Sequence, residues 1–199
     1  MTVLPDLPFA LNESSEEVWS VIDGPAIHAS APPRTDLFVS PGDSTRRVNA
    51  PTFIGVPGPG DFQFSARVSV GFASKFDAGG LLLWHSETSF AKLCLEYSHA
   101  GQPMIVSVVT RGVSDDANSF TVADSRTWLR ISRIDSSYAF HSSNDGQWWE
   151  LIRVFAMDST PATHSLGLLA QSPTGEGCDV TFDKLAFTRT RLLDRRDGS

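Results

Sequence analysis

The stretch FQFSARVSVGF, Phe62–Phe72, sends Phe62, Phe64, Ala66, Val68, Val70 and Phe72 to one side and Gln63, Ser65, Arg67 and Ser69 to the other. That alternation is the period of a strand with one buried face and one wet face. Outward from it, runs rich in β-branched and aromatic residues recur: Gly79–Ser86, Phe90–Ser98, Met104–Arg111, Trp128–Ile134, Tyr138–Ser143, Trp148–Phe155, His164–Ala170 and Asp179–Thr188. Turn-forming residues separate them at His99–Pro103, Ser114–Ser119, Asp135–Ser137, Asn144–Gly146 and Ser172–Gly177. Asp145-Gly146 is the sharpest turn signal, because glycine accepts the positive φ of a tight hairpin. Nothing longer than a turn repeats with a helical period; Asn12–Val18 has room for one helical turn capped by Ser14 or Ser15. Short strands at this spacing predict an all-β fold of two packed antiparallel sheets, with a closed barrel as the alternative. Pro32–Pro33, Pro41–Gly42 and Pro57–Gly60 read as long connections within a single domain spanning 1–190. The charged end of the chain, residues 191–199, is expected to fray.

Composition narrows the partners. The chain has 199 residues, 41% of them apolar and only 20% charged, too much to bury for a disordered segment. Its 16 Lys and Arg against 23 Asp and Glu leave a net charge of −7, and no dense basic run exists to track a phosphate backbone. Nucleic acid is therefore excluded as a partner. The longest apolar stretches, Gly79–Trp84 and Leu166–Ala170, fall far short of the roughly 20 residues that cross a bilayer, which argues against a membrane partner. The start, MTVLPDLPFAL, has neither a basic region nor an apolar stretch of the secretory kind, so a cytoplasmic location is expected. Cys94 and Cys178 lack metal-ligand spacing and are expected to stay reduced and unpaired.

The runs Asp77–Trp84 (DAGGLLLW), Ala91–Ser98 (AKLCLEYS), Val106–Asn118 (VSVVTRGVSDDAN), Trp128–Arg133 (WLRISR), Phe140–Gly146 (FHSSNDG) and Gln171–Gly177 (QSPTGEG) resemble a bacterial and fungal family of uncharacterised function. One fungal member of that family carries the label of a regulator of enolase. The family is similar in fold to the sandwich domain that follows the catalytic propeller in some β-xylosidases. The resemblance extends from Thr35 to Phe187 and implies a concanavalin A-like jelly roll of the lectin and glucanase type. It implies no activity, since a shared fold is weak ground for a shared function.

In Phe90–Ser98, Leu93, Leu95 and Tyr97 share one side and Lys92, Cys94 and Glu96 the other. A lysine and a glutamate in an apolar strand need water or each other. By the same parity Trp84, Arg130 and His141 are expected beside them on the concave face, with Trp148 or Trp149 nearby. Aromatic faces for C–H surfaces and charged groups for hydroxyls make that set a candidate sugar site, namely Trp84, Lys92, Glu96, Arg130 and His141. The competing reading is an ion-pair ladder with packed tryptophans. Asp115, Asp116 and Asn118 offer three hard oxygens in Ser114–Ser119, a candidate calcium site. Their spacing is not that of a helix-loop-helix calcium loop, and a self-capped turn explains the same residues. No other cofactor is expected.

Catalytic signatures are missing: no Gly-x-Ser-x-Gly elbow, no His-Glu-x-x-His pair and no phosphate-cradling glycine loop. Glu96 is the sole carboxylate on its strand, so a glycosidase would need a dispersed pair with Asp115 or Glu150. The expected function is a non-catalytic lectin-like module for a carbohydrate or sugar-like ligand. The alternative is an intracellular module that binds or regulates a protein partner, and a hydrolase comes third.

Overall fold

The computed structural model describes residues 1–15, 17–22, 26–157 and 163–199. Among the described residues there are sixteen strands: β1 (Asn12–Glu13), β2 (Trp19–Ile22), β3 (Ala26–Ala31), β4 (Leu37–Val39), β5 (Arg46–Val48), β6 (Thr52–Gly55), β7 (Phe62–Gly71), β8 (Ala78–Ser86), β9 (Ser89–Tyr97), β10 (Pro103–Arg111), β11 (Val113–Thr121), β12 (Arg126–Ile134), β13 (Ser137–Ser143), β14 (Glu150–Ala156), β15 (Ser165–Gln171) and β16 (Cys178–Thr188). Two seven-stranded antiparallel sheets face each other. The first runs β1-β6-β15-β8-β9-β10-β11, the second β14-β13-β12-β7-β16-β3-β2, and β4 pairs with β5 alone. This is the concanavalin A-like jelly-roll sandwich, all-β, with no α-helix among the described residues.

The alternation in β7 decides the stacking. Phe62, Phe64, Ala66, Val68 and Val70 point inward with Leu129, Ile131, Phe140, Val180 and Phe182 of their own sheet, against Leu81, Leu83, Leu93, Leu95 and Leu168 of the other. Each of the larger side chains contributes roughly 1.5–3 kcal/mol by leaving water, and Ala66 less. A second, smaller cluster lies on the outer face of the first sheet, where Leu82, Phe90, Cys94 and Leu169 are covered by Leu37 and Ala50. Segments flanking and forming the β4–β5 hairpin thus roof part of that face. Both cysteines are buried and free, and burial pushes each thiol up to about 12.

Three local expectations are corrected. The polar stretch Ser114–Ser119 is part of β11 rather than a loop. It is the outermost strand of its sheet, where solvent on one side tolerates the Asp, Asn and Ser that read as a turn. Within Asn12–Val18 the described residues hold β1 and a turn instead of a helical turn. The end of the chain, expected to fray, is packed back on the second sheet. Leu192 is buried with Ile134 and Ala139, and Arg191 meets Asp61 and Asp135 at 2.7–2.8 Å. Apolar cover for Leu192 and pairing for Arg191 supply what the sequence pattern did not display.

Candidate functional site

On the outer face of the first sheet, next to the β4–β5 hairpin, lies a recess of about 250 Å³ lined by Asp36, Phe38, Phe76, Lys92, Glu96 and Asp116, with Val108, Gln171 and Pro173 completing it. Strand register assembles its floor. Lys92 on β9 pairs across with Val108 on β10, which pairs with Asp116 on β11, so all three point the same way. Glu96 follows four residues along β9, about 13 Å further at the usual strand rise. The walls come from elsewhere: Phe38 from β4, Phe76 from the turn before β8, and Gln171 from the end of β15. Asp36 is held by its backbone, its N–H donating to Asn49 Oδ1 at 3.0 Å while its carbonyl accepts from the N–H groups of Asn49 and Ala50.

Lys92 organises the recess. Its side chain is 3% exposed, and Nζ donates to Asp36 Oδ1 at 3.1 Å and Gln171 Oε1 at 2.8 Å. Burial opposes its charge, yet the neighbouring acidic groups, Asp36 above all, leave its pKa above the ordinary lysine value. Glu96 is different. Burial is the main cause that raises its carboxyl to about 8; Lys92 opposes the rise, and Asp116 and Asp36 reinforce it. Asp116 is raised as well, again chiefly by burial. No side chain or backbone N–H among the described residues is hydrogen-bonded to the Glu96 carboxyl. The recess therefore presents a largely protonated carboxyl able to donate and accept, two further carboxylates, and one lysine proton not committed to Asp36 or Gln171. Phenylalanine faces close its sides.

The five residues expected to share one face do not. Trp84 lies on the same outer face as Lys92 and Glu96 but two register pairs beyond Lys92, stacked on Phe90 with centroids 5.6 Å apart and outside the recess. Arg130 and His141 project from the second sheet, on the opposite side of the sandwich. Parity turned each of them away from the core, but a sandwich has two outer faces. There Arg130 donates to Gly198 O at 2.7 Å and to Gln63 Oε1 at 3.1 Å, with its guanidinium 4.2 Å over the Trp149 ring. His141 donates through Nε2 to Arg195 O at 2.8 Å. The returning chain end covers both. Burial lowers His141 to about 4 and Arg130 to about 10. Gly198 is required for this closure: a Cβ there would lie 2.4 Å from an Arg130 nitrogen, and its φ is +75°.

The candidate calcium ligands are also separated. Neighbours on a strand alternate sides, so Asp115 turns to Arg153 at 3.4 Å while Asp116 faces the recess. Among the described residues no group of three His, Cys, Asp or Glu is placed to hold a metal ion. Neither Asp115 nor Glu150 lines the recess with Glu96, so the dispersed hydrolase pair is not assembled there. Asp36, Phe38, Phe76 and Gln171 were missed by sequence reasoning. Gln171 opens the QSPTGEG run, whereas Asp36 lies among residues that read only as connection.

Fold and recess together define a concanavalin A-like sandwich with a polar pocket on one outer face. The chain belongs to the family described as Protein of unknown function (DUF1349), whose model matches residues 13–190. Among solved structures it is similar to a functionally unknown protein from Saccharomyces cerevisiae, with a TM-score of 0.78 and 21% identity over 89% of this chain and 95% of that one. It is also similar to the GH43 protein BlXynB from Bacillus licheniformis, with a TM-score of 0.71 and 16% identity over 88% of this chain. There it spans 35% of the other chain. The carbohydrate-binding module CBM66 from Bacillus subtilis matches with a TM-score of 0.55 and 12% identity, over 93% of this chain and 98% of that one. No curated protein matches it in sequence. No helix among the described residues is long and apolar enough to cross a membrane.

Proposed function

We propose that the protein is a non-catalytic carbohydrate-binding module whose site is the Lys92–Glu96 recess. The observation that carries this reading is the Glu96 carboxyl, unpaired within the protein, beside a buried Lys92–Asp36–Gln171 network and between phenylalanine walls. Such a set of acceptors and donors suits hydroxyls, and the aromatic faces suit C–H surfaces. At about 250 Å³ the recess is at the small end for ligand pockets, which suits one sugar unit. The fold it shares with a carbohydrate-binding module supports the same class of ligand. Trp84, Arg130 and His141 leave the proposed ligand set, and Asp36, Asp116 and Gln171 enter it. We take no cofactor to be needed, and read the buried thiols as those of a cytoplasmic protein.

Calorimetric titration of wild type and Glu96→Gln with the best ligand from a glycan array tests this. At pH 9, above the Glu96 value of about 8, the variant should bind about tenfold or more weakly, because hydrogen bonds to the ionised carboxylate contribute roughly 1.5–3 kcal/mol that a neutral amide does not reproduce. Unchanged affinity removes the recess as the site. A second reading, a regulatory module with a protein partner as the enolase-linked resemblance suggests, has one feature behind it: Leu193, 89% exposed, beside the exposed Val154.

A further inference from the structure

At the rim of the sandwich, the connection between β13 and β14 meets the edge strand β11. Asp145 there is a structural staple. Its Oδ1 accepts the N–H of Gln147 at 2.8 Å and of Trp148 at 2.9 Å, together with the Ser143 hydroxyl at 3.0 Å. Ser143 Oγ accepts the Gly146 N–H at 2.8 Å. Gly146, at φ +75°, lies flat against Trp128, where any Cβ would come within 2.9 Å of the indole. These bonds tie the backbone of the loop together, and Trp148 on it is 80% exposed, a large aromatic that leaves unburied the apolar area it could bury.

Trp148 stands over a groove. One cavity of about 360 Å³ is lined by Phe120, Asn144, Trp148, Trp149, Glu150 and Asp197. A second, of about 410 Å³, shares Phe120, Asn144 and Glu150 with it and continues to Asp124 and Arg126. The two are neighbours across these shared residues, and each is larger than the Lys92–Glu96 recess. Carboxylates and an amide line it, and one guanidinium stands at its far end, which is poor chemistry for phosphates and good chemistry for neutral hydroxyls. An indole held out at the edge supplies a stacking face for the C–H surface of a sugar ring.

We propose that this rim groove is a second carbohydrate site, one that holds a run of sugar units against Trp148. The inference takes its ligand class from the sugar-binding reading above but rests on separate residues. Native affinity gels containing soluble xylan or xyloglucan test it, run with wild type, Trp148→Ala and Trp148→Phe. Wild type should be retarded by at least one of the two polymers. Trp148→Ala should lose about tenfold or more of that affinity, and Trp148→Phe should keep most of it. Because the side chain is exposed, the melting temperature of Trp148→Ala should match wild type, which separates lost binding from lost folding. Equal retardation of wild type and Trp148→Ala overturns the proposal, and so does free migration of wild type in both gels. Failure of the Glu96→Gln titration, by contrast, overturns the recess and leaves the groove untouched.

Discussion

The two outer faces of the sandwich receive their charges by the same rule and treat them differently. On the first sheet, Lys92 and Glu96 flank Leu93 and Leu95; on the second, Arg130 lies between Leu129 and Ile131, paired across to His141. The first face is roofed only in part by the β4–β5 region, so a recess remains and Glu96 keeps an unpaired carboxyl. The second face is closed by the chain end, whose carbonyls accept from one Arg130 guanidinium nitrogen and from His141 Nε2. A polar outer strand thus becomes a site or a seam according to what covers it, and the covering segments are distant in sequence.

The comparison can be broken most forcefully at Lys92. Lys92→Ala leaves the Asp36 carboxylate without its partner, and chemical denaturation should show a loss of about 3–5 kcal/mol, the usual result of removing one member of a buried ion pair. A loss under about 1 kcal/mol would mean that water already pairs Asp36.

Acid probes the buried histidines, one on the closed face and one inside the sandwich. His141 is held near 4 against its ordinary 6.5, and burial likewise lowers His164 to about 4. The unfolded chain binds these protons first, so their contribution to stability is complete above pH 6.5. It is lost progressively as the pH falls from there toward 4, on the order of 3 kcal/mol for each histidine. Denaturation midpoints that do not fall between pH 6.5 and 4 would contradict the burial of both rings.

Deleting Leu193–Ser199 opens the seam. It removes the bonds from Arg130 and His141 to the chain end, and should cost roughly 1–3 kcal/mol. The sharper readout is the His141 titration by NMR, which should move up from about 4 toward 6.5. An unmoved titration would show that the chain end does not desolvate the ring.

The smallest effect is expected in the open recess, and its sign is the informative part. Glu96 is raised to about 8, so folding is opposed by its ionisation as the pH rises from 4.5 through 8. Glu96→Gln removes that opposition. Its melting temperature at pH 6 should equal or exceed that of wild type, by up to about 2 kcal/mol in stability. A marked loss would make Glu96 a structural partner instead of a ligand group.

Much of this was legible in advance for a simple reason: a period of two states which side chains enter the core, and β7, β9 and β12 display it without interruption. Where the period is masked by polar residues on an edge, as in β11, the strand reads as a turn. The recess was half legible, since Lys92 and Glu96 announce themselves as charges in an apolar strand. Asp36, Phe38, Phe76 and Gln171 do not, because their roles depend on loops folding back across the sheet.

From the sequence by itself follow the all-β sandwich, the inward set of each main strand, and the outward turn of Lys92, Glu96, Arg130 and His141. Only the tertiary structure decides which outer face each of them occupies. Parity is local, carried by successive bonds in one strand, whereas sheet membership depends on pairings between strands far apart in the chain. β9 and β12 obey the same alternation and end on opposite sides of the molecule, one beneath an open recess and the other beneath the returning end of the chain.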